Sequence, residues 1–207
     1  MILWIDENEK KHLNQKLLDF IPFGLEIRFC ENLKSYNKIY NLLNHNDYYI
    51  ITFDDDFFYH KTSISKLIEA SNLHGDEFII SNRIHKIKFT NNIISSYKQW
   101  TWNSKNKDPS IFNFQTGVFG VLYPPNCFYK DVIDKKKILK FAPNADDIWL
   151  YWMIRLNKKK VVWSGFEKNN YKIINNDREN LNSVNVGKNQ NDIQINKLID
   201  FYGFPLV

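Results

Sequence analysis

Short apolar runs alternate with stretches of helical period along most of the 207-residue chain. An uninterrupted apolar run is typical of a strand buried on both faces, and an alternating run is typical of a half-buried strand. On this basis we predict strands at residues 2–5, 25–29, 48–53, 78–80, 117–123 and 161–163. Apolar residues spaced by three and four positions predict helices at residues 12–20, 35–43, 64–68, 146–156 and 192–202.

The order of these elements predicts an α/β fold. Strand–helix–strand units imply right-handed crossovers, and therefore a mixed, mainly parallel central sheet flanked by helices. Asn91-Asn92 is a turn signal and predicts a hairpin after the strand at 78–80. Residues 95–116 and the Asn-rich residues 166–191 show no clear period and are predicted to be loops. Because we find no repeat and no boundary signal, residues 1–207 are expected to form one domain.

Three carboxylates, those of Asp54, Asp55 and Asp56, follow the apolar run that ends at Phe53. Ligands of open α/β sheets bind outside the carboxyl ends of the strands, so we expect these side chains at a ligand site. Adjacent carboxylates repel one another unless a cation joins them, and Mg²⁺ or Mn²⁺ often bridges protein carboxylates and substrate phosphate. Asp is also common in turns and at helix N-termini, so this stretch alone leaves metal binding and turn formation equally open.

A second acidic pair, Asp146 and Asp147, opens the predicted helix at residues 146–156. Acidic residues in a first turn complement the helix dipole, and Asn144 is a favourable N-cap, so a structural role is sufficient to explain the pair. A carboxylate at this place can also be a general base, because the helix N-terminus keeps it ionised and a buried helix fixes its position. The pair alone leaves both interpretations open.

The net charge of +5 and the pI of about 9.0 suit phosphate-rich partners such as a nucleotide or an anionic lipid surface. The lysine triplets at residues 135–137 and 158–160 could face a membrane, although solvated lysines explain them as well. No apolar run approaches the roughly 20 residues of a membrane span, and no motif indicates nucleic acid as a partner. Cys30 and Cys127 match no zinc or redox spacing and are expected to be buried thiols in a reducing cytoplasm.

An Asp-x-Asp after a central strand, a Gly-containing strand and a later acidic pair suit transfer from a metal-bound nucleotide diphosphate. In this order the chain resembles GT-A-type glycosyltransferases, the family 2-like enzymes of bacterial surface-polysaccharide synthesis. The resemblance covers most of the chain. It is carried by short matches at Leu3-Trp4-Ile5, residues 33–38, residues 52–56, residues 120–125, residues 145–150 and Asn191-Asp192.

The resemblance implies a nucleotide-sugar donor, with a UDP-sugar as the first choice, and a divalent Mn²⁺ or Mg²⁺ held around Asp54 and Asp56. It implies Asp147, and Asp146 as the second choice, as the base of an inverting transfer. The implied acceptor is a saccharide or lipid-linked saccharide of a cell-surface polysaccharide. The implied location is the cytoplasm, with a peripheral contact at the inner face of the membrane.

Further contacts are candidates at this stage. For the donor the candidates are Asp54, Asp55, Lys38 and Arg83, of which Arg83 could pair bidentately with a diphosphate. A solvated lysine is an equally good explanation of Lys38. For the acceptor sugar, flat faces could come from Tyr123, Trp100, Trp102 and Trp163, although such aromatic residues are more often part of a core. Gly117 and Gly120 could allow a close approach of backbone and ligand, or could serve packing.

The chain departs from this family at its beginning. A βα unit that helps to hold the nucleotide base ordinarily precedes the segment that starts here. We therefore expect either a truncated sequence or an incomplete donor site. Two alternative functions remain open: a non-catalytic sugar- or nucleotide-binding remnant, and another metal-dependent phosphate-processing enzyme.

Overall fold

The computed structural model describes residues 1–45, 47–167, 172–173, 187 and 189–205. The strands in these residues are β1 Ile2–Asp6, β2 Glu26–Cys30, β3 Ile50–Thr52, β4 Phe57–Phe58, β5 Phe78–Ser81, β6 Ile84–Lys86, β7 Phe89–Thr90, β8 Ile93–Ile94, β9 Thr101–Ser104, β10 Asn113–Gln115, β11 Val121–Tyr123, β12 Lys160–Trp163 and β13 Lys172–Ile173. The α-helices are α1 Gln15–Leu18, α2 Ser63–His74, α3 Lys135–Phe141, α4 Asp146–Leu156 and α5 Gln190–Tyr202. Short 3₁₀ helices lie at Glu7–His12, Ile21–Phe23, Lys34–Lys38, Tyr40–Leu42, Tyr97–Gln99, Gly117–Phe119 and Lys130–Ile133.

The central sheet has four strands in the order β12–β5–β11–β3. β12 and β5 are parallel, whereas β11 runs antiparallel to both β5 and β3. Strands β3, β5 and β12 therefore end at one edge of the sheet, and β11 begins there. The fold is mixed α/β, and the sheet is mixed as predicted. Three of its four strands run in one direction and β11 runs against them, so one of its three strand pairs is parallel and two are antiparallel. Outside the central sheet, four of the five described strand pairs are antiparallel.

Helix α4 lies in the middle of the core and matches the predicted helix at residues 146–156. Its residues 148–155 are all at most 1% exposed. Two buried indole groups find backbone acceptors, since Trp149 Nε1 donates to Val132 O and Trp152 Nε1 donates to Gly203 O, each over 3.1 Å. Burial of large aromatic residues with satisfied polar atoms makes this helix a rigid support for the residues in its first turn.

The segment Lys34–Lys38 follows the two-stranded parallel sheet of β1 and β2 and packs against β1. Tyr36 in this segment is 1% exposed, and its hydroxyl donates to Ala142 O over 2.6 Å. The bond joins Lys34–Lys38 to the turn that leads into α4. Lys38 is thereby held close to the beginning of that helix.

Two predicted helices are instead broken into shorter turns. Residues 12–20 contain only α1, next to 3₁₀ helices, because the Asn14 side chain accepts from Lys16 N and starts a new helix there. Residues 35–43 form the 3₁₀ helices Lys34–Lys38 and Tyr40–Leu42, with an extended φ of −137° at Ile39 between them. The apolar residues of that stretch are still buried, because a spacing of three also places side chains on one face of a 3₁₀ helix.

Helix α2 is present, but it buries a different face from the predicted one. Leu67 is fully buried, whereas Ile64 and Ile68 are 51% and 44% exposed. The remaining residues that α2 buries against β5 and β11 are small: Ser63, Ala70 and Ser71. Small side chains allow the helix to approach the sheet closely, so the larger apolar residues lie outside the contact.

Residues 95–116 are not the predicted loop, because β9 and β10 lie within them. The side chains of β10 are buried although two of them are amides, and Asn113 Nδ2 donates to Val161 O over 3.0 Å. The predicted hairpin is confirmed: β7 and β8 flank Asn91 and Asn92, whose φ angles of 51° and 62° are those of a tight hairpin turn. The predicted strand at 117–123 is confirmed only for β11, since Gly117–Phe119 is a 3₁₀ helix.

The terminal helix α5 begins at Gln190, two residues before the predicted start at Asp192. Its N-cap is Asn189, and Asp192 instead accepts a hydrogen bond from Tyr97 N over 2.7 Å. Most of the predicted loop at residues 166–191 lies outside the described residues. Cys30 and Cys127 are free, buried thiols, as predicted. Within the described part of the chain, no helix has both the length and the apolar character needed to cross a membrane.

Candidate functional site

The carboxyl edge of the central sheet brings the two predicted acidic stretches together. Residues 54–56 follow β3, and the 3₁₀ helix Gly117–Phe119 precedes β11 at the same edge. Asp147, in the first turn of α4, accepts hydrogen bonds from Gly117 N at 3.0 and 3.1 Å to its two carboxylate oxygens. We call the cluster of Lys38, Asp54, Asp146 and Asp147 around Gly117 the acidic site.

The ammonium group of Lys38 lies between carboxylates from two different elements. Its Nζ is 2.6 Å from Asp54 Oδ1 and 2.9 Å from Asp146 Oδ2. The side chain is only 17% exposed, so Lys38 is not the solvated lysine that the sequence allowed. Burial alone would lower its pKa, but the charges of Asp146, Asp54 and Asp147 outweigh this effect and hold the pKa well above its ordinary value. Lys38 is therefore a cation in this site.

Gly117 makes this convergence possible because it has no side chain. A Cβ atom there would lie 2.8 Å from Lys38 Nζ, 3.2 Å from Asp147 Oδ1 and 3.5 Å from Asp54 Oδ1. The three polar atoms thus lie within 3.5 Å of one point. The protein's own side chains pack against this glycine, which is the packing role that the sequence allowed, and a close approach of a ligand stays a prediction.

Asp146 and Asp147 have different surroundings although they are adjacent. Asp146 is 6% exposed and is ion-paired with Lys38. Asp147 is half-buried, and its carboxylate contacts the backbone of Gly117. Burial and the charge of Asp146 raise the pKa of Asp147, against the opposing charge of Lys38. A carboxylate with a raised pKa binds a proton more readily, which is the property that a general base needs.

The predicted metal ligands border the acidic site. Asp54 is half-buried, Asp55 is exposed, and Asp56 is half-buried with one carboxylate oxygen, Oδ1, that is inaccessible to solvent and has no hydrogen-bond partner. Burial and the charge of Asp54 raise the pKa of Asp56. A carboxylate in such surroundings is stabilised by a nearby cation.

A tyrosine holds the loop that carries these aspartates. The Tyr59 hydroxyl accepts from Asp54 N over 3.1 Å and lies 2.8 Å from Asp54 O and 3.0 Å from Val118 O, to either of which it can donate. Burial and the charge of Asp54 raise the pKa of Tyr59, so the phenol keeps its proton. Tyr59 thus ties the loop after β3 to the Gly117–Phe119 segment.

Gly120 supports the same loop from the other side. Its φ is +98°, and a Cβ there would lie 2.5 Å from Cε1 of Phe53. Only glycine combines this backbone conformation with such close packing. The predicted packing role of Gly120 is therefore the one observed.

The donor set fits a hard divalent cation only in part. Two carboxylates, those of Asp54 and Asp56, follow the same strand, and Asp56 has an oxygen without a partner. Among the described residues, no three His, Cys, Asp or Glu side chains are grouped closely enough to enclose a metal ion. Mg²⁺ and similar ions are commonly bound through one or two carboxylates, with substrate phosphates as further ligands. Asp54 and Asp56 fit this kind of binding, in which substrate phosphates complete the set of metal ligands.

A cleft that is open to solvent lies next along the same sheet edge, at the ends of β5 and β12. It is lined by Asn82, Arg83, Ile84, Asn103, Ser104, Lys105, Phe119, Trp163, Phe166 and Glu167. The guanidinium of Arg83 lies 5.7 Å from the centre of the Phe119 ring, and its Nε donates to Asn103 Oδ1 over 2.8 Å. Arg83, predicted to contact the donor, thus lines the cleft.

The predicted acceptor-stacking residues divide into two groups. Trp100 and Tyr123 are 3% and 1% exposed, with rings packed against Phe114 and Phe128, so neither offers a free face to a sugar. Both belong to the core, where burial of large aromatic area stabilises the fold. Trp102 is 38% exposed, although one face of its ring stacks on His85. Trp163 reaches the cleft only with its edge, since it is 7% exposed.

Two residues of the site were not singled out from the sequence. Tyr59 is one of several aromatic residues after the aspartates, and its contacts depend on a segment almost sixty residues later. Gln115 is fully buried, its Nε2 donates to Asp147 O over 3.1 Å, and its Oε1 has no partner. The available signal was the pair of polar residues Gln115 and Thr116 directly before Gly117.

The sequence matches no protein-family model and no curated protein. The evidence on function is therefore the arrangement of the residues themselves. Four predicted site residues meet in the acidic site, two border it, and one lines the neighbouring cleft: Lys38, Asp54, Asp146 and Asp147, then Asp55 and Asp56, then Arg83.

Proposed function

We propose that the chain is a metal-dependent GT-A-type glycosyltransferase. It transfers a sugar from a nucleotide-diphosphate donor to a saccharide or lipid-linked acceptor during synthesis of a cell-surface polysaccharide. The observation that carries this proposal is the convergence of Lys38, Asp54 and Asp147 on Gly117 at the carboxyl edge of the sheet. This edge is where open α/β sheets bind their ligands, and the cluster supplies both a cation and a carboxylate with a raised pKa.

The donor diphosphate belongs beside Lys38, Asp54 and Asp56 in this proposal. Asp54 and Asp56 are the residues that would hold Mn²⁺ or Mg²⁺, and such an ion neutralises charge on a departing diphosphate. Lys38 adds a protonated ammonium at the same place. Charge-assisted hydrogen bonds to phosphate are among the strongest that a side chain makes.

Asp147 acts as the base. As the acceptor oxygen bonds to the anomeric carbon, the carbon–oxygen bond to the diphosphate breaks, and the proton of the hydroxyl passes to the Asp147 carboxylate. Asp147 is preferred over Asp146 because it is half-buried and, among the described residues, its carboxylate is hydrogen-bonded to the backbone of Gly117, whereas Asp146 is buried and paired with Lys38. Attack from the side opposite the leaving group inverts the anomeric centre.

We assign the acceptor to the cleft at the ends of β5 and β12. Gly117 contacts Asp147, and Phe119 lines the cleft only two residues later. Two residues span at most roughly 7 Å, so a sugar in the cleft could reach Asp147 with one hydroxyl. Arg83 offers a positive charge for an anionic, sugar-bearing acceptor.

The test is the substitution Asp147→Asn, assayed for sugar transfer and for binding of the nucleotide diphosphate. We expect transfer to fall by at least about a hundredfold, since general bases contribute roughly 10²–10⁴ in rate, while nucleotide affinity stays within about twofold. Asp134→Asn is the matched control, because Asp134 is also at a helix N-terminus, where it caps α3 and contacts Lys137. That variant should retain both activities.

Other outcomes point to the alternative functions. If transfer persists in Asp147→Asn, this residue is not the base. If nucleotide affinity falls in proportion to transfer, Asp147 acts in binding. If the wild-type chain hydrolyses simple phosphate esters and transfers no sugar, the site belongs to another metal-dependent phosphate-processing enzyme. Binding of nucleotide without turnover of any sugar nucleotide would indicate a non-catalytic module.

A further inference from the structure

The site contains its own cation at the place where a metal ion would be needed. Lys38 Nζ lies 2.6 Å from Asp54 Oδ1 and 2.9 Å from Asp146 Oδ2, so it joins the loop after β3 to the first turn of α4. The ammonium group is mostly shielded from water. One of the two carboxylates that would hold a divalent ion is therefore already engaged by a positive charge.

Asp56 offers the contrasting case. Its Oδ1 is inaccessible to solvent and has no hydrogen-bond partner, so it lacks the compensation that Lys38 gives to Asp54. A divalent ion bound by both residues would approach the ammonium group on Asp54 closely. Like charges at such short distance repel strongly in a shielded site. Metal binding and the Lys38–Asp54 ion pair therefore oppose each other.

We propose that Lys38 is a built-in counter-cation that keeps metal affinity low until a nucleotide diphosphate arrives. The negative phosphates give the ammonium group a new partner and supply ligands to the ion, so nucleotide and metal bind cooperatively. Such coupling between two ligands is reciprocal. This inference rests on the proposed role of the acidic site, but it concerns the order of binding and assigns Lys38 a regulatory function within the site.

The surroundings of Lys38 suit a group that has to move. A lysine ammonium is a point charge on a flexible stem, and it can turn between partners without backbone movement. Lys38 is the last residue of its 3₁₀ helix, which ends at Ile39, where φ is −137° and ψ is −30°. The ammonium group packs directly against Gly117, so its present position depends on the absence of a side chain there.

The experiment measures Mn²⁺ affinity directly, from the loss of the electron paramagnetic resonance signal of the free ion. Wild type, Lys38→Met and Lys38→Arg are titrated with Mn²⁺ alone and with Mn²⁺ in the presence of UDP. We expect Lys38→Met to bind Mn²⁺ alone about tenfold more tightly than wild type, and UDP to enhance its Mn²⁺ affinity about tenfold less. Lys38→Arg keeps the charge and should resemble wild type.

Two controls locate the effect. The double variant Lys38→Met/Asp56→Asn should lose the gain in Mn²⁺ affinity if the ion binds where we propose. Lys137→Met removes a lysine that also bridges two carboxylates, at 2.6 Å from Asp131 and 3.6 Å from Asp134, and should leave Mn²⁺ affinity unchanged. If Lys137→Met gains as much Mn²⁺ affinity as Lys38→Met, the effect comes from net charge and the proposal is wrong.

A folded Lys38→Met variant with unchanged or weaker Mn²⁺ affinity would also overturn the proposal. That result would mean that Lys38 only holds its carboxylate partners in place, and that these carboxylates loosen when the lysine is removed. If that variant does not fold, Gly117→Ala replaces it: the added methyl carbon would stand 2.8 Å from Lys38 Nζ and displace the ammonium group without removing charge. Mn²⁺ affinity should then rise severalfold, and no change would contradict the proposal. Because Mn²⁺ alone is the probe, a failed nucleotide site would not affect this result.

Discussion

At the scale of single residues, the carboxylates of Asp146 and Asp147 have different contacts because they lie at neighbouring positions of one helix. Successive side chains on an α-helix point about 100° apart. Asp146 therefore reaches Lys38, and Asp147 reaches the backbone of Gly117. Only the second carboxylate remains partly exposed to a substrate.

This difference has a consequence for the pH dependence of transfer. The raised pKa of Asp147 means that its carboxylate ionises only above the usual pH range of an aspartate. The rate of transfer should therefore rise with pH, and this rising limb of the pH–rate profile should lie at higher pH than for an ordinary aspartate. Asp146→Asn removes a like charge next to Asp147 and frees Lys38 to approach it. Both changes favour the ionised form, and the limb should move to lower pH.

The measurement is the initial rate of transfer at saturating donor, from about pH 4 to 9. A limb that stays in place or moves to higher pH in Asp146→Asn would show that the pKa of Asp147 does not control the rate. Asp134→Asn again serves as the control and should leave the limb unchanged.

At the scale of elements, α4 was predicted with correct bounds because its apolar residues continue through three turns and its acidic pair marks the beginning. The stretch at residues 35–43 was ambiguous, since Tyr36 and Ile39 fit a spacing of three as well as the α-helical period. For α2 the period was right and the face was wrong. The buried face is formed by small residues around Leu67, whose contribution to packing does not appear in a hydrophobic pattern.

The corrected face of α2 can be tested by stability. Leu67→Ala should lower the free energy of unfolding by about 2–5 kcal/mol, because it leaves a cavity against the sheet. Ile68→Ala, the matched substitution one residue later, should change it by no more than about 0.5 kcal/mol, because Ile68 is largely exposed. Urea denaturation of both variants measures the difference. Equal losses would indicate that the exposed face of α2 is covered in solution.

The acidic residues of the site could be predicted from the sequence because each belongs to a local pattern, a strand end or a helix beginning. The position of Lys38 could not, because it depends on contacts with residues 54 and 146, on two other elements. The same holds for Tyr59, whose partner Val118 lies in a later segment. Local patterns thus identified the carboxylates, and only the folded chain identified the groups that compensate them.

At the scale of the whole molecule, the strand order arranges the two candidate subsites side by side. The acidic site lies at the ends of β3 and the beginning of β11, and the cleft lies at the ends of β5 and β12. The chain carries a net charge of +5, yet three carboxylates, those of Asp54, Asp146 and Asp147, gather at this edge around Lys38. The arrangement favours a cation at one subsite and an anionic acceptor at the next.

Arg83 distinguishes the two subsites. The sequence predicted a donor contact, whereas its place in the cleft leads us to expect an acceptor contact. Arg83→Ala should therefore raise the KM for an acceptor about tenfold or more and leave the affinity for a nucleotide diphosphate unchanged. Steady-state kinetics with a phosphate-bearing saccharide acceptor, together with nucleotide titration, separate the effects. A loss of nucleotide affinity would indicate that Arg83 contacts the donor instead.

The most direct test of the central claim is a calorimetric titration of the chain with UDP and GDP, with and without Mn²⁺, in wild type and in Asp56→Asn. We expect binding of one nucleotide that strengthens with Mn²⁺, and loss of that strengthening in Asp56→Asn, because the variant removes a carboxylate ligand. Binding that is indifferent to Mn²⁺ and to Asp56 would contradict a metal-assisted donor site. Absence of binding for both nucleotides would contradict the proposed function of the acidic site itself.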